Sequence, residues 1–220
     1  MKICLNLVKA LLICTLFFTV AFKAPQWHAQ TLINYVGPKV VKVISLSLRG
    51  GGTGVHITNK YGETYILTNK HVCGAKDKNE LVGIVNNDKL FVRKVIKESI
   101  DHDLCLVEPV LNHGISLGSK PEVGQVTAIL GHPQLSPLRF ERAQYVVDHK
   151  IKICIKPLFI FCEQYKDYDA SSYNANILPG NSGSPVVDWK GSLISLIFAG
   201  GQKHMAFAVP YEYIEGFINE

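Results

Sequence analysis

Gly180-Asn181-Ser182-Gly183-Ser184-Pro185 is the stretch on which the reading of this chain turns. A serine between two glycines sits in a turn that bulky side chains do not block. Its hydroxyl and the neighbouring backbone N–H groups can then converge on one carbonyl group, which combines a nucleophile with a site for the oxyanion it creates. In isolation, the same Gly, Asn, Ser and Pro residues also describe an ordinary surface turn. The stretch therefore has to be read with what lies upstream of it.

Two further features precede it. Tyr65-Ile66-Leu67-Thr68-Asn69-Lys70-His71-Val72 is an apolar strand ending in a polar corner that carries a histidine. Asp103-Leu104-Cys105-Leu106-Val107 is an aspartate opening an apolar strand. A base, a carboxylate to orient it and a nucleophile thus occur in the order His71, Asp103, Ser182. They are far enough apart that only a fold bringing distant loops to one cleft can unite them. Asp101 competes with Asp103 across His102, but Asp103 directly precedes the strand, where burial would hold a carboxylate against a histidine N–H. Ser184, Ser171 and Ser172 lack the preceding Gly-Asn and the following Gly. His56, His113, His132, His149 and His204 read as surface or loop histidines.

Many short apolar segments surround these features, separated by Gly-, Asn-, Asp- and Pro-rich breaks. They include 40–48, 55–57, 65–67, 81–85, 89–96, 104–107, 126–130, 145–155, 186–187 and 193–198. Gly50-Gly51-Gly52-Thr53-Gly54 reads as a turn into Val55-His56-Ile57, and Tyr211 to Phe217 as a short closing helix. Repeated short strands of this kind predict a sandwich or barrel. With 220 residues the chain can bury a substantial core, and two small barrels sharing a cleft would fit.

Six segments together resemble trypsin-like serine peptidases, specifically bacterial HtrA-like proteases and glutamyl endopeptidases. They are Gly52-Thr53-Gly54-Val55, Leu67 to Val72, Asp103-Leu104, Leu130-Gly131-His132-Pro133, Pro179 to Pro185, and Phe207-Ala208-Val209-Pro210. They occur in the family's order over about residues 50 to 210. The resemblance implies an all-β fold of two antiparallel barrels of the chymotrypsin/trypsin type with a short C-terminal helix. The protease domain would span residues 30–220, with barrels at about 31–118 and 119–210 joined near Gly118 to Gly124, and no appended domain. It further implies a serine endopeptidase with His71 as base, Asp103 as its orienting acid and Ser182 as nucleophile. The oxyanion hole is expected at Gly180, Asn181 and Ser182: the Gly180 and Ser182 N–H groups donate, and Asn181 sets the turn. Ser184 stands where many relatives have glycine, a form shared with glutamyl endopeptidases. A trypsin-fold binding module without catalysis and an adhesive β protein are the rival classes; the complete triad argues against the first, and the ordered match around His71 and Asp103 against the second.

The same resemblance places the floor of the substrate pocket at Asn176, beside Ile177, with a wall from Ile197-Phe198-Ala199-Gly200. No carboxylate stands at the floor position, and Ile197 replaces the histidine of glutamyl endopeptidases. An uncharged aliphatic or other small to medium side chain is therefore expected before the scissile bond. Protein or peptide is the expected substrate, and no cofactor is expected.

Residues 1–29 read as an export leader. Lys2 and Lys9 precede the uncharged run Ala10 to Phe22, too short for an ordinary membrane span. A poor small-x-small pattern at Ala24 and Ala29 leaves an uncleaved anchor through residues 3–22 as the alternative. Either way the protease domain is expected outside the cytoplasm, secreted, periplasmic or membrane-anchored. Lys2, Lys9 and Lys23 supply three of the five net positive charges, so a nucleic-acid-binding surface is not supported. A hairpin centred near Leu158 would set Cys154 opposite Cys162, a candidate disulfide. Cys73 and Cys105 each lie two residues beyond a triad member, and either a second disulfide or two buried thiols is consistent with that. No zinc-ligand spacing is present, so no metal is expected.

Overall fold

In the computed structural model, residues 28–46, 50–74, 80–158, 161–200 and 204–220 are described, apart from the side chains of 155–158 and 161. Most of the expected leader, residues 1–27, lies outside them. Residues 28–36 are helical (α1), crossing the boundary expected after residue 29. Among the described residues, no helix is long and apolar enough to cross a membrane.

Twelve strands form two closed antiparallel barrels. The first contains β1 (Val40–Ser45), β2 (Gly51–Thr58), β3 (Thr64–Thr68), β4 (Leu81–Asn86), β5 (Lys89–Ser99) and β6 (Leu104–Val107), in the spatial order β1-β2-β3-β6-β5-β4. The second contains β7 (Val126–Gly131), β8 (Arg139–Leu158), β9 (Phe161–Asn174), β10 (Pro185–Val187), β11 (Leu193–Gly200) and β12 (Met205–Val209), in the order β10-β11-β12-β9-β8-β7. Val41, Val43, Ile66, Val82, Ile84 and Val95 fill the first barrel, and Ile129, Tyr145, Tyr173, Val186, Ile194 and Ile197 the second. A third cluster joins them. Val55, Ile57, Leu67 and Leu104 of one barrel meet Leu130, Leu193, Leu196 and Phe198 of the other, sealed by Leu32 and Val36 of α1 and by Ile214 and Phe217 of α3 (Tyr211–Asn219). This shared core fixes one barrel against the other, and with them the loops that meet at the cleft.

The glycine run at 50–54 differs from its expected reading as a turn. Gly51 to Gly54 lie inside β2, because other groups occupy the space their side chains would take. A Cβ on Gly52 would come within 2.6 Å of Ser182 O, and one on Gly54 within 2.9 Å of the Ile66 side chain. Glycine here permits close approach of backbones rather than a bend.

β8 and β9 form a long two-stranded ribbon. The hairpin expectation holds, with Leu158 paired to Phe161 and Cys154 bonded to Cys162 across an S–S distance of 2.01 Å. Cys154 faces Tyr165 and Cys162 faces Pro157, so the disulfide runs diagonally across an irregular stretch of pairing. Cys73 and Cys105 are also joined, at 2.11 Å, which resolves the alternative left open above.

His56 is fully buried inside β2, which corrects its reading as a surface or loop residue; His132 lies in a loop, as expected, but is nearly buried. The Nδ1 of His56 lies 3.0 Å from Lys39 O, while its Nε2 receives the Val110 and Leu111 N–H groups at 3.2 and 3.1 Å. Because Nε2 accepts two donors, the ring proton must sit on Nδ1 and the imidazole must be neutral. Burial lowers the pKa of His56 most, the hydrogen bond to the Lys39 carbonyl partly offsets this, and His113 adds a smaller lowering; burial also lowers that of His132. A lowered histidine contributes stability that is complete above the ordinary value near 6.5 and is lost as pH falls from there toward the folded value. Unfolding by urea should therefore become easier below about pH 6.5, by at most about 1.4 kcal/mol per pH unit per histidine. His56→Gln should be less stable at neutral pH but show a shallower acid slope. Equal slopes for the two proteins would reject the assignment.

Candidate active site

Residues 179–184 form the last part of the link from β9 to β10, and every carbonyl from Pro179 to Ser182 accepts a hydrogen bond. Gln134 N–H donates to Pro179 O at 2.6 Å, Thr53 Oγ1 to Gly180 O at 2.9 Å, Ser184 N–H to Asn181 O at 2.9 Å and Thr53 N–H to Ser182 O at 2.8 Å. Asn181 N–H is spent on Leu178 O at 3.1 Å, and Gly183 N–H on Ile197 O at 2.7 Å. Gly180 N–H and Ser182 N–H remain, neither with a partner among the described residues. Asn181, expected among the oxyanion-hole residues, thus offers no donor; it shapes the turn, its Oδ1 accepting from Ser184 Oγ at 3.4 Å. Gly180 and Gly183 have φ of 93° and 84°, where a Cβ is strained.

His71 lies in the single-turn helix α2 (Lys70–Cys73), which follows β3 directly. Its Nδ1 is 2.7 Å from Asp103 Oδ2, and its backbone N–H donates to Asp103 Oδ1 at 3.0 Å. A carboxylate can only accept here, so the ring carries its proton on Nδ1 and leaves Nε2 free to act as a base. Asp103 O in turn receives Lys70 N–H at 3.2 Å and Asn69 Nδ2 at 3.0 Å. Asp103 itself is held at a φ of 53°. The side chain of Asp103 is 12% exposed and that of His71 49%, so the acid is enclosed while the imidazole faces the cleft. Asp101 is exposed. The Cys73–Cys105 bond ties the end of α2 to β6 and so fastens the two carriers of the His–Asp pair together. Phe198 and Tyr168, ring centres 5.6 Å apart, pack nearby; the Tyr168 hydroxyl is pushed up by burial and then by the Asp103 charge.

Ser182 Oγ donates to Phe198 O at 3.2 Å. His71 and Asp103 are thus brought together as expected. Ser182 and His71 form no hydrogen bond to each other.

The expected pocket residues fare unevenly. Asn176 is exposed rather than buried at a floor, and its N–H meets Glu141 Oε1 at 3.4 Å, so a carboxylate does approach this position, at the surface. Ile197 is fully enclosed in the second barrel's core, with Ile177 packed against the same cluster. The Phe198 side chain faces the shared core between the barrels, opposite to Ile197, because neighbouring strand residues point to opposite faces. Its carbonyl, not its ring, reaches the loop. Ala199 is half-buried beside the shared core, and Gly200 pairs with Ala206. Reading the sequence did not assign a role to Thr53 or to residues 131–135. The family-like segments Gly52 to Val55 and Leu130 to Pro133 were the available signals; within the second, a Cβ on Gly131 would meet the Ser184 hydroxyl and come within 2.6 Å of Asn181 Oδ1. No cluster that could hold a metal ion occurs among the described residues.

Two six-stranded barrels, with a His–Asp pair on one and a glycine-flanked serine on the other, define a serine peptidase of the chymotrypsin type. The chain belongs to the trypsin-like peptidase domain family, whose model matches residues 52–196. HtrA-like serine proteases of Staphylococcus aureus strains bovine RF122 / ET3-1 and MRSA252 are 28% and 29% identical over 185 residues, 77% of this chain. The chain spans 23% of the length of those relatives. The active form of the Rv3671c protease from M. tuberculosis superposes with a TM-score of 0.70 at 20% identity, covering 85% of this chain and 82% of that one. A serine endoprotease from Yersinia pestis gives 0.64 at 20% identity, covering 86% and 65%. Family membership gives the chain a trypsin-like peptidase domain.

Proposed function

We propose that the chain is an exported endopeptidase that cleaves through a Ser182 acyl-enzyme. The 2.7 Å contact of His71 Nδ1 with Asp103 Oδ2 carries the reading, since it commits the Nδ1 proton to the carboxylate and leaves Nε2 as the nitrogen that can exchange a proton with a substrate or nucleophile. His71 Nε2 takes the Ser182 proton as Oγ attacks the peptide carbonyl. The Gly180 and Ser182 N–H groups receive the oxyanion, and His71 passes the proton to the departing amine as the C–N bond breaks. Water then hydrolyses the ester by the same steps. Export is supported by the leader pattern and by two disulfides, which persist in oxidising compartments.

A small aliphatic residue before the scissile bond is favoured. A Cβ on Gly200 would lie 3.5 Å from Ile177 Cβ and 3.3 Å from Ile177 O, so little room separates the two walls. Ile177→Ala should shift cleavage in a peptide library toward larger apolar residues. Cleavage mainly after Arg, Lys or Glu by the unmodified protein would reject the pocket.

The Ser182 hydroxyl on Phe198 O favours a second reading, a binding module with the fold but without turnover. A fluorophosphonate probe separates the two. Covalent labelling at Ser182, absent in Ser182→Ala, is expected for the enzyme; an unlabelled, folded protein would leave the binding module.

A further inference from the structure

Thr53 lies on β2 of the first barrel, fully buried, yet both of its contacts to the serine loop cross to the other barrel. Its N–H donates to Ser182 O at 2.8 Å and its hydroxyl to Gly180 O at 2.9 Å. The hydroxyl also accepts His132 N–H at 2.9 Å, and Thr53 O accepts the Thr68 hydroxyl at 2.6 Å. Since the His132 amide can only donate, the single hydroxyl proton of Thr53 must point at Gly180 O. No freedom is left in this arrangement.

The position of these bonds along the loop gives them meaning. The two peptide units bearing the free donors are 179–180 and 181–182; the two whose carbonyls Thr53 holds are 180–181 and 182–183. The units alternate. Each donor N–H therefore belongs to a residue whose following peptide is clamped by Thr53, so the donor unit can turn only about its own Cα–Cα axis, a rotation opposed by Gln134 N–H on Pro179 O and by Ser184 N–H on Asn181 O. The far side of the 179–180 unit is fixed by Gln134 N–H, from a residue at φ 53° beside His132. Gly52 and Gly183 lack the Cβ atoms that would prevent this approach: one on Gly52 would come within 2.6 Å of Ser182 O, and one on Gly183 would run into Thr53 O.

We propose that Thr53 is a positioning residue of the oxyanion hole, aiming the Gly180 and Ser182 N–H groups from the opposite barrel through the carbonyls between them. This rests on the reading of Ser182 as nucleophile. A group acting this way touches no substrate. Its loss should weaken binding of the tetrahedral state while leaving ground-state binding alone.

Thr53→Val keeps the shape and the backbone N–H but removes the hydroxyl. Per active site titrated with a fluorophosphonate, it should lower kcat by about 10- to 100-fold with KM nearly unchanged, less than the 10²–10³ typical of deleting a donor outright. Affinity for a peptide aldehyde ending in valine, whose Ser182 adduct carries the oxyanion, should fall by the same factor, whereas that for the corresponding peptide acid should not. Thr53→Ser should restore kcat. A folded Thr53→Val with unchanged kcat and aldehyde affinity overturns the proposal, as does a loss confined to KM. If Thr53→Val does not fold, Thr53→Cys, with its weak donor, replaces it: a reduced kcat supports the proposal and an unchanged one overturns it. Full activity in Ser182→Ala would instead remove the nucleophile assignment, an outcome distinct from either.

Discussion

Ser182→Ala and His71→Ala are each expected to lose about 10⁴–10⁶ in kcat, and the double variant little more, because nucleophile and base act as one unit. Steady-state cleavage of a peptide substrate by the purified variants measures this, and a Ser182→Ala protein with full activity would refute the assignment. Asp103→Asn should lose somewhat less while keeping the fold. Its amide would offer an N–H to Nδ1 where Oδ2 now sits at 2.7 Å, favouring the tautomer with the proton on Nε2, which cannot then act as a base. Asp101→Asn should be mild, as Asp101 is exposed. The opposite ranking of the two asparagine variants would transfer the acid's role to Asp101.

Gly183→Ala should be among the most damaging single-methyl additions in the chain. The residue has a φ of 84°, and its Cβ would run into Thr53 O, with Thr68 Oγ1 within 2.5 Å. Neither obstacle can yield cheaply, since Thr53 O lies in β2 and already accepts the Thr68 hydroxyl. Loss of more than about 3 kcal/mol is expected by urea unfolding, together with loss of activity as the serine loop is pushed from the first barrel. Gly62→Ala is the matched control: its φ is 85°, but nothing lies within 4 Å of the added Cβ, so only the left-handed strain of about 1 kcal/mol remains. Similar costs for the two variants would show that backbone strain, not the approach to Thr53, governs Gly183.

Much of the fold was legible along the chain wherever a strand has one face in a core. The apolar runs at 104–107 and 126–130 match β6 and β7 to within a residue. β9 was not delimited, since much of it forms the exposed ribbon with β8 and Glu163, Gln164, Tyr165 and Asp167 lack a buried face to reveal the strand's period. The glycines of β2 were misread because their constraint is a contact with Ser182 O, far away in sequence.

The residue types and order of His71, Asp103 and Ser182, with their local turns, were determined by the sequence alone, because the chemistry of each role admits few side chains and each sits in a local motif. The direction of every peptide in the serine loop, the inward burial of Ile197 and the contacts that Thr53 makes with that loop were decided only by tertiary structure. These depend on which backbone groups meet across two barrels, and hydrogen-bond partners distant in the chain leave no periodic trace in its sequence.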